Sequence, residues 1–223
     1  MAGGNYTIIS SYAGDDVYGP RFTQNSVVVN TKATNIVSTK TVSVLLTAIK
    51  KGYYYQITLK DNDGNVLANK KVTITFNGKN YTRTTDANGL IKFKLASTKV
   101  GTKKLTIKFA GDENYTAVTK TATIKMLKEA TKFVVPATAF KVNVKTKVLK
   151  VTLRDSKNKG VGGVKVTLRV NGVTYSAKTV SSGVAAIKIT KLTKVGSFAT
   201  LIKFAGNNYY KAASKSMKIV VKK

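Results

Sequence analysis

The sequence contains no cysteine, no histidine and no tryptophan, and only two of its 223 residues are proline. Without cysteine the chain forms no disulfide bonds, and cysteine usage gives no information about the redox compartment. Without cysteine and histidine it cannot build Ser-His or Cys-His catalytic pairs or the usual zinc sites. The nine acidic residues fall mostly in predicted turns. We therefore predict a non-enzymatic protein with no catalytic residues, no cofactor and no metal site.

Long apolar segments are also absent, because no apolar run approaches the roughly 18 residues of a membrane span. We therefore expect no membrane insertion. The first ten residues, MAGGNYTIIS, have neither the charged start nor the apolar middle of a signal peptide.

Negative charge is scarce, with 39 lysines and arginines against nine acids and a formal net charge of +30. The charge is graded along the chain: residues 1–33 are neutral, residues 34–129 carry +11, and residues 130–223 carry +19 with one acid, Asp155. Such a field attracts anionic polymers and surfaces of several kinds.

The chain contains a duplicated segment of about 90 residues. LKDNDG (59–64) matches LRDSKN (153–158) at an offset of 94, and FAGDENY (109–115) matches FAGNNYY (204–210) at an offset of 95. A register held over this length with one slip indicates a repeated domain. We predict one repeat over residues 34–129 and another over residues 130–223.

Each repeat has the two-residue periodicity of β-strands. Runs such as VTITF and LTIKF alternate apolar and polar residues, and turn signals such as NG, ANG and AGD separate them. No window shows a helical stripe. We predict seven strands in each repeat. In the first copy they lie near 34–48, 53–60, 71–76, 79–85, 89–95, 102–109 and 117–126. In the second copy they lie near 131–144, 147–154, 164–170, 173–180, 183–190, 197–204 and 211–221. Seven short strands in about 95 residues predict an all-β fold of tandem immunoglobulin-like β-sandwiches, with an open barrel as the alternative.

Residues 1–33 hold part of a third copy. Gly4 and Tyr12-Ala13-Gly14-Asp15 align with Gly101 and Phe109-Ala110-Gly111-Asp112 at one offset of 97. We interpret this segment as the last two strands of a preceding Ig-like domain. An isolated strand pair is marginal in water because its apolar face is uncovered. Three outcomes stay open: disorder in an excerpt of a longer protein, packing on the first complete repeat, or addition of strands to a neighbouring chain, which would build a filament.

The repeats resemble a known family through the pattern L-x-D-x-x-G, N-G, D-x-x-G and F-x-G-D-x-x-Y. In the first copy the pattern falls on Leu59, Asp61, Gly64, Val72, Asn77, Gly78, Asp86, Gly89, Gly101, Phe109, Gly111, Asp112 and Tyr115. It is similar to the bacterial and archaeal Ig-like repeats of large surface proteins, most of all to those of methanogen adhesin-like proteins. The resemblance implies an extracellular, cell-surface stalk or adhesin, a structural protein in cell adhesion.

The F-x-G-D-x-x-Y motif is the candidate site with the clearest repetition. Its members are Phe109, Gly111, Asp112 and Tyr115 in the first repeat, Phe204, Gly206 and Tyr209 in the second, and Tyr12, Gly14 and Asp15 in the N-terminal segment. We predict a structural role, in which the glycine permits a positive φ angle and the Asp or Asn side chain caps a turn. Direct ligand contact is the alternative.

Two further patterns are weaker. Asp61-Asn62-Asp63-Gly64-Asn65 looks like the start of a calcium loop but lacks the closing acid, so we interpret it as a turn. Three N-x-Thr sequons, at Asn5, Asn80 and Asn114, are candidate glycosylation sites.

The basic residues leave two kinds of partner open. Most lysines occupy the polar positions of strands, where they prevent edge-to-edge association, and specific nucleic-acid binding would favour arginine and interleaved aromatics. We therefore expect no specific nucleic acid. The expected partners are copies of the same chain in a filament and anionic cell-surface or wall polymers. The alternative function is a polycationic module that binds wall polysaccharide, acidic glycans or nucleic acid.

Overall fold

The computed structural model describes residues 2–136 and 138–223. The chain divides into two compact units, which are described separately. The first unit comprises Met1–Ser43, Gly52–Leu95 and Thr102–Lys125, and the second comprises Val44–Lys51, Ala96–Gly101 and Met126–Lys223. The division at residues 33/34 and 129/130 remains a prediction.

The chain begins with a two-stranded antiparallel hairpin of β1 (Gly4–Tyr12) and β2 (Arg21–Val29). Its register pairs Gly4 with Val29 and Tyr12 with Arg21. Nearly every residue of both strands is exposed. Because two strands cannot cover their own apolar face, large side chains such as Ile8 and Tyr12 remain 53% and 45% exposed.

The next eight strands form a five-stranded and a three-stranded sheet. They are β3 (Thr34–Val37), β4 (Thr41–Leu45), β5 (Tyr54–Asp61), β6 (Lys71–Phe76), β7 (Lys79–Thr84), β8 (Leu90–Lys94), β9 (Gly101–Phe109) and β10 (Val118–Leu127). The sheet orders are β4-β10-β9-β6-β7 and β3-β5-β8. Alternate residues are buried, as the two-residue period requires. The rings of Phe76 and Phe93, one from each sheet, pack edge to face with centroids 6.0 Å apart.

The first strand of this repeat was predicted incorrectly. In place of one strand over 34–48, the chain forms β3 in the three-stranded sheet, crosses to β4 in the five-stranded sheet, and continues as helix α1 (Leu46–Lys50). The repeat therefore has eight strands and a helix, not seven strands. The helix buries Leu46 and Ile49, which are three residues apart on one helical face. An apolar run this short does not distinguish a strand from a helical turn.

The last eight strands repeat the same arrangement. They are β11 (Thr131–Val134), β12 (Ala139–Lys141), β13 (Lys147–Asp155), β14 (Lys165–Val170), β15 (Val173–Lys178), β16 (Val184–Ile189), β17 (Gly196–Phe204) and β18 (Ala213–Lys222). The sheet orders are β12-β18-β17-β14-β15 and β11-β13-β16. One core cluster contains side chains from both sheets, among them Leu149, Ile187, Leu168 and Ile202. The two sheets therefore pack as a sandwich.

The predicted strand over 131–144 is also divided in two. It breaks after Val134, and Pro136 follows, which lacks the N–H that a continuous ladder requires. The chain then pairs β12 in parallel with β18, with Ala139 opposite Val220. The prediction for Ala137 within this strand lies outside the described residues.

The predicted Asn-Gly turns join β6 to β7 and β14 to β15. Asn77 and Gly78 have φ values of 53° and 73°, and Asn171 and Gly172 have values of 47° and 75°. Two consecutive positive φ angles define the type I′ hairpin turn, whose twist matches that of the flanking strands.

Gly183 should be far less tolerant of a side chain than Gly172, although both have positive φ angles. A Cβ atom at Gly183 would lie 2.7 Å from the Cα of Gly160 and 2.8 Å from the amide nitrogen of Val161, whereas a Cβ at Gly172 would meet nothing within 4 Å. We expect Gly172→Ala to lower the free energy of unfolding by about 1–2 kcal/mol, through φ strain alone. Gly183→Ala should add about 1–3 kcal/mol of overpacking.

Urea denaturation of the two variants measures this difference. Gly172→Ala is the matched control for the change in backbone freedom. Equal losses in the two proteins would show that the close approach at Gly183 is not a constraint.

Candidate functional site

The repeated motif forms the connection between the last two strands of each repeat. In the first sandwich Phe109 ends β9 with its side chain buried. Gly111 follows with a φ of +82°, and a Cβ there would lie 2.8 Å from the amide nitrogen of Ala117. The carboxylate of Asp112 then accepts hydrogen bonds from the amides of Asn114 and Tyr115, both at 3.0 Å. The motif is therefore a tight turn closed by its own acidic side chain.

The second repeat forms the same turn with an amide side chain. Asn207 Oδ1 accepts hydrogen bonds of 2.9 Å from the amides of Tyr209 and Tyr210, and Gly206 has a φ of +81°. Phe204 ends β17 with its side chain buried. The substitution of Asp by Asn preserves the acceptor oxygen that the turn needs.

The N-terminal hairpin contains a third copy of the turn. Asp15 Oδ1 accepts hydrogen bonds from the amides of Val17 and Tyr18 at 2.9 and 2.8 Å, and Gly14 has a φ of +86°. The hydroxyl of Tyr12 donates to Asp15 Oδ2. This hydrogen bond is the largest cause that lowers the pKa of Asp15 and raises the pKa of Tyr12.

The predicted motif tyrosine of the second repeat is corrected by this geometry. Tyr210, not Tyr209, lies three residues after the capping side chain, as Tyr115 does in the first repeat. Tyr209 occupies the position of Asn114. The offset of 95 that relates FAGDENY to FAGNNYY likewise places Tyr115 opposite Tyr210.

Each motif tyrosine also pairs with the residue that precedes the first strand of its repeat. Tyr115 forms an isolated parallel bridge with Lys32, and Tyr210 forms the equivalent bridge with Glu129. The Lys32 amide donates to the Asn114 carbonyl at 2.8 Å, and the Glu129 amide donates to the Tyr209 carbonyl at 2.9 Å. The turn thus fixes the entry of the chain into the repeat, which is a structural role.

Lys70 adds a charged contact to the first-repeat turn. Its ammonium lies 2.7 Å from Asp112 Oδ2 and 4.8 Å from the ring centroid of Tyr115. Burial raises the pKa of Asp112, but the Lys70 hydrogen bond and the two backbone amides outweigh it, so the pKa lies below its usual value. Both oxygens of this carboxylate therefore accept hydrogen bonds within the protein, Oδ1 from the turn amides and Oδ2 from Lys70.

The contacts of the Glu129 side chain were not predicted from the sequence. This residue is 3% exposed and accepts hydrogen bonds of 2.7 Å from Thr47 Oγ1 and Ser156 Oγ. All three residues belong to the second unit. Burial, followed by the charges of Glu129 and Asp155, raises the pKa of Tyr210 nearby. No sequence pattern signals this contact, because residues 82 positions apart make it.

The structure also locates the Asp61–Asn65 segment and the three N-x-Thr sequons. Asp61 accepts from the amides of Asp63 and Asn65 and from Asn65 Nδ2, so the segment is a turn stabilised by its first acid. Asn5, Asn80 and Asn114 all lie at exposed positions. Their glycosylation remains a prediction.

The described residues contain neither a cluster of metal ligands nor a membrane-spanning helix. Within the described ranges 2–136 and 138–223, no three His, Cys, Asp or Glu residues are grouped so as to hold a metal ion. In the same part of the chain no helix has the length and apolarity needed to cross a membrane.

Comparison with known proteins supports the Ig-like assignment. The family model described as the bacterial Ig-like domain (group 1) matches residues 50–125, which lie within the first repeat. Together with the paired sheets of both repeats, this match confirms the predicted fold class of tandem Ig-like β-sandwiches. A search of curated proteins gives no match.

Several solved structures are similar in fold. A bacterial integrin-binding invasin is 18% identical over 84% of this chain and 39% of its own, with a TM-score of 0.45. A tetra-tandem repeat from the extending region of a large adhesion protein is 16% identical over 99% and 57%, with a TM-score of 0.39. A Ca²⁺-stabilised, ice-binding adhesin of an Antarctic bacterium is 15% identical over 98% and 57%, with a TM-score of 0.32. The chain therefore spans little more than half of these proteins at most, and at such TM-scores none of their properties is carried over.

Substitution of Asp112 should destabilise the first sandwich through two separate losses, namely the acceptor for the turn amides and the ion pair with Lys70. Asp112→Ala leaves two amides without their acceptor and should cost about 1–2 kcal/mol of unfolding free energy. Asp112→Asn keeps the acceptor, as Asn207 does, and loses only the Lys70 pair, so it should cost less than about 1 kcal/mol.

The pH dependence of the unfolding free energy identifies the contribution of the ion pair between Asp112 and Lys70. Because the folded-state pKa of Asp112 is lowered, its ionised form stabilises the fold above the unfolded carboxyl pKa of about 4, and this contribution is lost as the pH falls through the folded pKa. The difference between wild type and Asp112→Asn should be present at pH 7 and smaller at about pH 3, below the unfolded carboxyl pKa. A difference that is equal at both pH values would contradict the ionic contribution.

Proposed function

We propose that the chain is a non-enzymatic module of an extracellular cell-surface protein, with a stalk or adhesin-type role. The observation that carries the proposal is that the repeated motif uses its polar groups internally. Asp112, Asn207 and Asp15 each cap their own turn. Residues used this way position the strands, because each side-chain oxygen accepts the backbone amides of its own turn. The match of residues 50–125 to a bacterial Ig-like family supports the same role, and the finer likeness to methanogen adhesin-like repeats is part of this proposal.

Surface labelling tests the proposed location. Antibodies against residues 34–223 should label intact cells that produce the protein, and external protease should remove the signal. A strain that lacks the gene should lose part of its attachment to solid surfaces. Labelling that requires permeabilised cells would contradict an extracellular role.

We further propose that copies of the chain assemble into a filament through the N-terminal hairpin. The pairing of Gly4 with Val29 and of Tyr12 with Arg21 repeats the pairing of Gly196 with Val221 and of Phe204 with Ala213. The hairpin therefore has the strand lengths, register and turn of the last two strands of a complete sandwich. In that sandwich β14 pairs with β17 and β12 pairs with β18. The corresponding edges of β1 and β2 are suited to accept strands from a second copy.

The apolar face of the hairpin supports the same proposal. Tyr6, Ile8 and Val27 occupy the positions at which β17 and β18 face the core, and Ile8 is 53% exposed. An uncovered apolar surface on a strand pair favours association.

Light scattering after size-exclusion chromatography tests the filament. The full chain should assemble with increasing concentration, whereas deletion of residues 1–30 and the double variant Ile8→Lys/Val27→Lys should each remain monomeric. Thr7→Lys/Ser26→Lys is the matched control, since these residues pair on the opposite face of the hairpin and the added charge is equal. Assembly of the truncated chain like that of the full chain would exclude strand donation.

A polycationic module that binds anionic polymers is the second candidate function. The specific observation in its favour is the composition of residues 130–223, with 20 basic residues against one acid. A charge of this density attracts polyanions over distances of about 10 Å at 0.1 M salt.

A further inference from the structure

We propose that the outward face of the five-stranded sheet β12-β18-β17-β14-β15 is a binding surface for an extended acidic polysaccharide. This inference rests on the second candidate function and locates it on one face of the molecule. The five strands contain no aspartate or glutamate, and every residue in them lies in the described part of the chain. Their outward positions carry seven exposed cations, namely Lys141, Lys165, Arg169, Lys178, Lys203, Lys218 and Lys222.

These cations are not neutralised within the protein. Over residues 2–136 and 138–223, ion pairs within 4.0 Å join Lys32 to Asp61 and Asp63 and join Lys70 to Asp112, all in the first unit. The seven cations of the outward face are outside these pairs. Like charges on adjacent strands repel one another, as at the paired residues Lys165 and Lys178. A bound polyanion would relieve this repulsion.

The floor between the cations is made of small side chains. One shallow groove of about 530 Å³ has Arg169 and Lys218 at its margins and Ala199, Leu201 and Ser216 among its lining residues. These side chains are short, so the longer cationic side chains extend beyond them. An extended ligand can therefore contact the floor and the flanking charges together.

A second groove on the same sheet is also lined by two cations and by short side chains. It has a volume of about 550 Å³, with Lys165 and Lys203 as its cations and Thr167, Ala212 and Ser214 among its other lining residues. Thr167 pairs with Lys203 across β14 and β17. Two grooves on one sheet, each with two cations, suit a linear polymer with regularly spaced anionic groups better than a single small anion.

The chemistry of the face favours a polysaccharide over nucleic acid. The aromatic residues of these strands, such as Tyr175 and Phe198, point inward and pack against the core, so the outward face offers no ring on which a base could stack. Hydroxyl side chains such as Ser214, Ser216 and Thr167 can instead donate to and accept from sugar hydroxyls. Lysine ammonium groups supply point charges for the acidic groups of the polymer.

The first repeat provides a natural comparison at the same positions. The pairing of Lys71 with Thr84 corresponds to that of Lys165 with Lys178. The pairing of Thr75 with Thr106 corresponds to that of Arg169 with Leu201. The first-repeat residues at the positions of Lys165, Arg169, Lys178, Lys203, Lys218 and Lys222 are Lys71, Thr75, Thr84, Lys108, Thr123 and Leu127. Outward lysines that the second repeat lacks are Lys104 and Lys125, which correspond to Ala199 and Val220. The first-repeat sheet therefore carries four outward cations against seven on the second, and the cations at Arg169 and Lys218 are specific to the second repeat.

The test replaces two cations of the second repeat with the first-repeat residues, in the full chain. Binding of a fluorescent heparin oligosaccharide, used as the acidic polysaccharide probe, is measured by anisotropy at several salt concentrations. Arg169→Thr/Lys218→Thr should weaken binding about tenfold at low salt, as expected for the loss of two surface charge contacts. The slope of log affinity against log salt should also decrease by about 1–2.

The matched control removes the same charge from the other sheet. Lys150→Thr/Lys188→Thr changes two exposed lysines of β13 and β16 and should leave the affinity and the slope within about twofold of wild type. Equal thermal unfolding of both variants verifies that the fold is intact, since threonine suits exposed strand positions.

Each contrary result has a distinct meaning. A wild-type chain that does not bind heparin at low salt would overturn the polycationic function and this inference together. Binding that both double variants weaken equally would keep the function and overturn the assignment to this face. A single-stranded DNA oligonucleotide of equal charge that binds more tightly than heparin, with the same loss in Arg169→Thr/Lys218→Thr, would overturn the polysaccharide as the occupant.

Discussion

The hydrogen bonds from two backbone amides to one Asp or Asn side chain determine the architecture of this protein. They close the loop between the last two strands in all three copies, at Asp15, Asp112 and Asn207. Because the loop has a fixed length, the register of the strand pair is fixed as well, and a shift of one residue would exchange the inward and outward faces. The burial of Leu105 and Ile107 in one repeat, and of Ile202 in the other, depends on this register. The same turn also fixes the residue that enters each repeat, Lys32 or Glu129.

Local signals explain why most strands could be predicted from the sequence. The strand predicted over 71–76 is β6 (Lys71–Phe76), because its alternation of apolar and polar residues ends at an Asn-Gly pair. The other single strands of the two repeats were predicted to within two residues. Alternation and turn chemistry act over a few residues, so a linear sequence contains them in full.

The features that were missed depend on distant contacts. The crossing from β3 to β4 and the helix α1 involve residues such as Leu46 and Ile49, whose burial is a property of the folded unit. Pro136 does signal a break in the second repeat, because it lacks the amide donor that a continuous strand needs. In the motif turn of the second repeat the tyrosine is Tyr210 in place of the predicted Tyr209. The contacts of Glu129 with Thr47 and Ser156 have no local pattern and could not be predicted.

The two repeats differ most where the fold constrains them least. Most inward positions keep apolar residues in both copies, as Ile74 and Leu168 do, because a buried polar group without a partner is destabilising. Thr200, which replaces Leu105, has such a partner, since its hydroxyl donates to the Phe198 carbonyl. Outward positions carry no such penalty, so Thr75 in one copy can be Arg169 in the other with little effect on the core. Lys32 and Glu129 make the same backbone pairing with opposite charges, and Lys32 is exposed whereas Glu129 is buried. The backbone hydrogen bonds therefore specify the sandwich, and the side chains directed away from the core are free to acquire a separate surface chemistry in each repeat. The excess of cations on the second repeat is a difference of this kind, and it is there that a function specific to this chain has the most physical freedom to arise.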